Sequence, residues 1–273
     1  QHSLTLEARQ ALQNTHGLLA AGKQLDLAAQ QFNNAEGRIV AQQDLKLNAQ
    51  QALDNTGGLL EAGERLLVSS GGEWGNRKGT AQGGTAVIAA AARLDNRGGR
   101  LQSGGDLQLS TSGDVLNQAG RLTAQRALGW QGGAGSGLNN DGGSLQSGGS
   151  LSLTGGQLSN RQQGVVLSQQ ALSLALTGEW NNQDGTLTGS GDTAIRAAAL
   201  NNEQGVINAL GSLDMQLSGR LDNGSGRIFS QRSQVLPAQD IFHIQGWLVA
   251  RKSVVSGQIV DLSSRRFLHL NNL

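Results

Sequence analysis

Apolar residues along the chain fall into a frame of about 21 residues that recurs eleven times. The clearest marker is an apolar side chain two places before an asparagine. The asparagines are Asn14, Asn34, Asn55, Asn76, Asn96, Asn117, Asn140, Asn160, Asn182, Asn202 and Asn223, spaced 20 to 23 residues apart. The residues two before them are Leu12, Phe32, Leu53, Trp74, Leu94, Val115, Leu138, Leu158, Trp180, Leu200 and Leu221. A glycine follows each asparagine by three places, as in Gly17, Gly58 and Gly99; the exception is Gln163, where Gly164 comes one place late. Five places after the asparagine stands an aliphatic residue such as Ile39 or Leu101, and seven places after it a small one such as Ala41 or Ser103. An alternating apolar pair completes the unit, as in Leu45/Leu47, Leu107/Leu109 and Leu151/Leu153.

Within each short segment the alternation has period 2, which predicts strands and not helices. Three strands and their turns fill a unit of this length. Flat hairpins or coils stacked one on the next could each bury the apolar face. Hairpins require turn signals that alternate in kind, whereas here one turn recurs at one phase. That favours a parallel β-solenoid of about eleven coils with 20–23 residues each. Stacking at about 4.8 Å predicts a ladder of the eleven asparagine amides and a rod on the order of 50 Å long. Asn at such a corner can bond turn backbone and tolerates left-handed geometry. The glycine three later fits a corner that needs either a positive φ or a close backbone approach.

Composition agrees. Glycine accounts for 41 of 273 residues, aromatics for 3 % and charged residues for 15 %, while apolar residues still make 37 %. This is not a disorder signature. A net charge of +1 supplies no long-range field for nucleic acid. There is no cysteine, hence no disulfide frame and no thiolate metal site. No apolar run approaches a spanning helix, so membrane insertion is not expected. Gln1-His2-Ser3-Leu4 has neither a charged nor an apolar signal region, and the chain reads as a piece of something longer.

Units such as Leu53-Asp54-Asn55-Thr56-Gly57-Gly58 and Leu94-Asp95-Asn96-Arg97-Gly98-Gly99-Arg100-Leu101-Gln102-Ser103 resemble filamentous-haemagglutinin repeats over about residues 4–231. Such repeats occur in exoproteins of bacterial two-partner secretion systems. The resemblance implies a right-handed parallel β-helix and export through an outer-membrane two-partner-secretion transporter. It also implies display at the surface of a Gram-negative cell. The expected role is a structural or adhesive filament that meets a receptor or glycan on a host or neighbouring cell. The stalk of a contact-dependent toxin-delivery effector is the alternative, and a carbohydrate-active β-helix enzyme a further one.

The repeat array is read as 1–231, and 232–273 as a non-repeat segment. From Pro237 onward only two of 37 residues are glycine. This segment is open to three readings: a cap, the start of another domain, or an unrelated tail.

Candidate chemistry is sparse, and no catalytic, cofactor or metal residue is expected. Asp54, Asp95 and Asp222 share the place before the asparagine with Gln13, Asn33 and Asn181, which reads as a solvated polar column. A glycosidase needs two carboxylates at a set separation, one with a raised pKa. His2, His16, His243 and His269 lack helical ligand spacing. The run from Gly132 to Gly137 is not followed by Gly-Lys-Ser/Thr and reads as a turn. Trp74, Trp130 and Trp180 fall in core columns, and Trp247 is unassigned. Arg93, Arg97, Arg100, Arg121 and Arg126 form a mild basic patch near mid-rod.

Overall fold

The computed structural model describes residues 2–242, 245–261 and 267–269. Its described residues form one all-parallel β-solenoid of about 12 turns, with no helix. Each turn has three walls. The first wall is a four-residue strand after the glycine, such as Arg38–Ala41 or Arg100–Ser103. The second carries the alternating pair, as in Leu151–Gly155, and the third the residues before the asparagine, as in Gln157–Ser159. In the earlier turns the second and third walls run on as single strands, among them Leu45–Asp54 and Ala86–Asp95.

Equivalent residues pair from coil to coil. In the first wall Leu19, Ile39, Leu60, Ala81 and Leu101 stand in one register. In the second, Leu45, Leu66, Val87, Leu107 and Leu128 do the same. In the third, Phe32, Leu53, Trp74 and Leu94 follow suit. All of these except Leu19 are buried. The second wall adds another buried column, Leu47, Val68, Ala89 and Leu109, and the inside-out alternation of the pleat places polar neighbours outward.

Side-chain size is matched between coils. Trp130 takes a leucine place, and its Nε1 donates to Thr111 Oγ1 at 3.0 Å. Its ring lies over Gly155, where a Cβ would meet ring atom Cζ3 at 2.7 Å. Trp74 and Trp180 are fully buried in the third-wall column, as expected from their phase, and their indole N–H groups find no partner among the described residues.

The turn between third and first walls is where the structure refines the sequence reading. In Asn34-Ala35-Glu36-Gly37 the Gly37 N–H donates to the Asn34 carbonyl at 3.0 Å, and Glu36 has φ 54°. Left-handed geometry at the third residue marks a type II turn. The strain therefore falls on His16, Glu36, Lys78, Ala119, Gln162, Gln163, Asp184, Gln204 and Ser225, and not on the asparagine or the recurrent glycine. Only Gly57, Gly98 and Gly142 occupy that place without a side chain. The recurrent glycine serves close approach instead. A Cβ at Gly79 would run into the backbone oxygen of Asn55 in the coil below and lie 2.7 Å from Asn76 Oδ1. Two neighbouring positions should thus respond oppositely. Lys78→Gly is expected to raise stability by about 0.5–1 kcal/mol by releasing left-handed strain. Gly79→Ala is expected to lower it by about 2–3 kcal/mol, because backbone cannot move aside as a side-chain tip can. Denaturant midpoints of the two variants check this.

Winding does not stop where the repeat fades. Arg227–Phe242 pairs in parallel with the coil before it and with Trp247–Asp261 after it, across the 231/232 boundary read from sequence. Ile241 continues the third-wall column, while Leu248 and Ala250 continue the first. The irregularity shows as register shifts near Ser230, Pro237 and Ile241. It shows also in Gln234, which takes the place above Leu213 with its buried amide unpartnered among the described residues. His243 and the segments 262–266 and 270–273 lie outside the described residues.

Candidate functional site: the asparagine ladder and the polar edge beside it

The eleven asparagines come together in one column at the turn between third and first walls. Each Nδ2 donates to the Oδ1 of the next asparagine, from Asn14 to Asn34 (2.6 Å) through Asn55 to Asn76 (2.7 Å) and on to Asn202 to Asn223 (2.7 Å). The intermediate links through Asn96, Asn117, Asn140, Asn160 and Asn182 measure 2.7–2.8 Å. The amide orientation is fixed by geometry, because the same Nδ2 reaches two carbonyls. For Asn55 these are Gly58 O at 3.3 Å and Thr80 O at 3.2 Å. From Asn34 to Asn223 the side chains are fully buried. All ten amide dipoles point the same way, so each bond polarises the next.

The column before the asparagine is not merely a solvated face. Its Asp and Asn side chains accept from the backbone N–H two residues on. Examples are Asn33 to Ala35 (3.0 Å), Asp54 to Thr56 (2.8 Å) and Asp222 to Gly224 (3.1 Å). These Asx turns hold the chain in place for the type II turn that follows. Asp95 departs furthest from the sequence reading, since it is only 1 % exposed. Arg77 Nε reaches its Oδ2 at 2.5 Å, and Arg97 grips it through Nε at 2.9 Å and Nη2 at 2.7 Å. Burial pushes the Asp95 carboxyl upward, but hydrogen bonds from Arg97 and Arg77 outweigh it and bring the pKa to about 2. Asp141 repeats the arrangement. Burial works against it, yet Arg161 (2.8 Å) and the Ser159 hydroxyl (2.6 Å) leave its pKa lowered.

Both buried carboxylates are therefore held ionised, the opposite of what a general acid requires. A carboxyl depressed in the folded state stabilises the fold above its unfolded pKa of about 3.9. That contribution fades as pH falls toward about 2. Wild-type stability is expected to decline across this window, and Asp95→Asn should remove part of the slope. Thermal melts at pH 5, 3.5 and 2.5 measure it.

The mid-rod arginines are only partly free. Arg97 binds Asp95, Arg126 lies 3.3 Å from Asp106, and Arg93 lies 3.9 Å from Glu73. Arg100 and Arg121 are paired in register on the first wall and have no ion-pair partner among the described residues. The histidines are not brought together: His16 faces Glu36 at 3.2 Å, and among the described residues no His, Asp and Glu cluster could hold a metal ion. The surface carries shallow hollows along the third wall and one on the second, lined by Leu67, Ile88 and Ala90. Among the described residues no helix is long and apolar enough to cross a membrane.

Sequence reasoning located the ladder but missed the Asx turns and the grip on Asp95. The signal for both was present: an Asn or Asp directly before the ladder position, and arginines at 77 and 97 one coil apart. Comparison with curated proteins found no match, and comparison with solved structures found none. The family model for the haemagglutinin repeat matches five times end to end, at residues 1–72, 58–132, 111–178, 160–225 and 209–272. With the repeat covering nearly every coil, including those beyond residue 231, the chain belongs to the haemagglutinin-repeat family.

Proposed function

We propose that this rod is a segment of an adhesive or structural filament carried on a secreted bacterial surface exoprotein. The observation that carries the reading is the haemagglutinin repeat matched from one end of the described solenoid to the other. Three properties support it. The interior is filled by side chains, the coils repeat along one axis, and the two buried carboxylates are held as structural anions. Such a rod holds its outward walls at a fixed distance from an anchor. In this reading an outer-membrane two-partner-secretion transporter exports the chain, and a receptor or glycan on another cell is the target. A toxin-delivery stalk would use the same rod as a spacer.

Beads coated with the purified chain and rolled over epithelial and bacterial cell layers test the adhesive role. Retention well above uncoated beads is expected. Retention equal to uncoated beads on every layer would leave only the spacer role. Antibody labelling of intact producing cells, with and without the transporter, tests display: loss of surface signal without it is expected, and unchanged signal would refute the export route.

A further inference from the structure

The outward face of the second wall has two side-chain columns. One runs Asp26, Lys46, Leu67, Ile88, Gln108, Gly129, and on through Ser152, Ser173 and Ala194 to Asp214. Beside it stand Asn48, Ser69, Ala90, Ser110, Gln131, Thr154 and Ala175, and then Arg196 and Gln216. No charge interrupts either column between Lys46 and Arg196. Large and small residues are segregated along the first of these columns. Leu67 and Ile88 stand at one end, with Ile88 48 % exposed, and line a hollow of about 390 Å³ with Ala90 and Gln108. Ser173 and Ala194 stand at the other.

We infer that the second wall pairs face to face with the same wall of a second copy, the two rods antiparallel and related by a two-fold axis at Gly129. Three features of the strip specify this occupant. Counting coils outward from Gly129, Ile88 meets Ser173 and Leu67 meets Ala194, so each large side chain faces a small one. One coil further out, Lys46, which lies 3.4 Å from Asp26 in its own chain, faces Asp214, and symmetry makes that contact twice. Parallel pairing, about an axis along the rods between the two columns, would instead place Lys46 opposite Asn48 and Asp214 opposite Gln216, with no ion pair across the interface. The interface is isologous, with the same patch on both copies. Nine coils at about 4.8 Å and strands about 16 Å across give roughly 700 Å² per copy, or about 1,400 Å² in total. That falls within the range of stable interfaces, about 1,200–2,000 Å².

Sedimentation equilibrium on the purified chain should show a reversible dimer at micromolar concentration. Lys46→Asp should weaken it at least tenfold, and adding Asp214→Lys to the same chain should restore it. The chain has no cysteine, so single cysteines report geometry directly. A short bismaleimide should link Gly129→Cys to itself. Ile88→Cys should not link to itself but should link to Ser173→Cys when the two are mixed. Thr123→Cys, outward on the first wall, should stay unlinked. A monomer at 100 µM would overturn the proposal. So would self-linking of Ile88→Cys, or linking through Thr123→Cys as efficient as through Gly129→Cys.

Discussion

Asn96→Leu is expected to destabilise the rod by about 3–5 kcal/mol, although leucine matches asparagine closely in size. The reason lies in what remains. Asn76 Nδ2 loses its acceptor at 2.7 Å, and Asn117 Oδ1 loses its only amide donor, also at 2.7 Å. Gly99 O and Arg121 O lose the Asn96 Nδ2 that reached them at 3.3 and 3.4 Å. Each buried group left without a partner costs about 1–3 kcal/mol, whereas a made hydrogen bond nets only about 1. Asn96→Asp should be no milder, because a carboxylate cannot donate to Asn117 and would sit fully buried as a charge. Asn14, the first asparagine of the ladder in this chain and 7 % exposed, should show a clearly smaller effect. Urea unfolding of Asn96→Leu, Asn96→Asp and Asn14→Leu ranks the three. Equal small losses for all would mean that the ladder contributes nothing beyond packing.

Leu107→Asp is expected to cost about 5 kcal/mol or more, enough to unwind the middle of the rod. Leu107 is 0 % exposed and stands between Val87 and Leu128 in a column that is aliphatic from Leu25 to Leu172. Its neighbour Gln108 points outward, and Gln108→Asp should change stability by less than about 0.5 kcal/mol. The contrast between adjacent residues measures the inward and outward assignment itself. Because each coil contacts only its neighbours, Leu107→Asp should melt coils around the middle before the ends. Hydrogen exchange then reports lost protection near residues 86–130 first.

Much of this architecture can be read from the chain because repetition multiplies weak signals. One apolar residue two places before an asparagine means little; eleven at a steady period specify a ladder, and the apolar columns follow from the pleat. What could not be read lies where a role passes between residue types. The left-handed turn position is occupied by His16, Glu36, Lys78 and Ala119, which share no chemistry. Only the three glycines at 57, 98 and 142 hint at the backbone demand. The recurrent glycine was compatible with either a positive φ or a close approach, and only three-dimensional neighbours decide for the second. The coil after Asn223 is not legible as a repeat because its markers are thinned out. Gly246, Leu248 and Ala250 keep the phase of Gly226, Ile228 and Ser230 at a spacing of 20, but histidine stands where asparagine would. Asp95 hid in a column of mixed polar residues, since its burial depends on arginines contributed by two different coils.

A crystal structure of the chain at better than 2 Å tests the stacking most directly, read at one pair of atoms. Asn55 Nδ2 is expected within about 3 Å of Asn76 Oδ1, with the Gly79 Cα packed against the Asn55 carbonyl. Finding those two amides on separate strands of an antiparallel hairpin, more than about 10 Å apart, would contradict it.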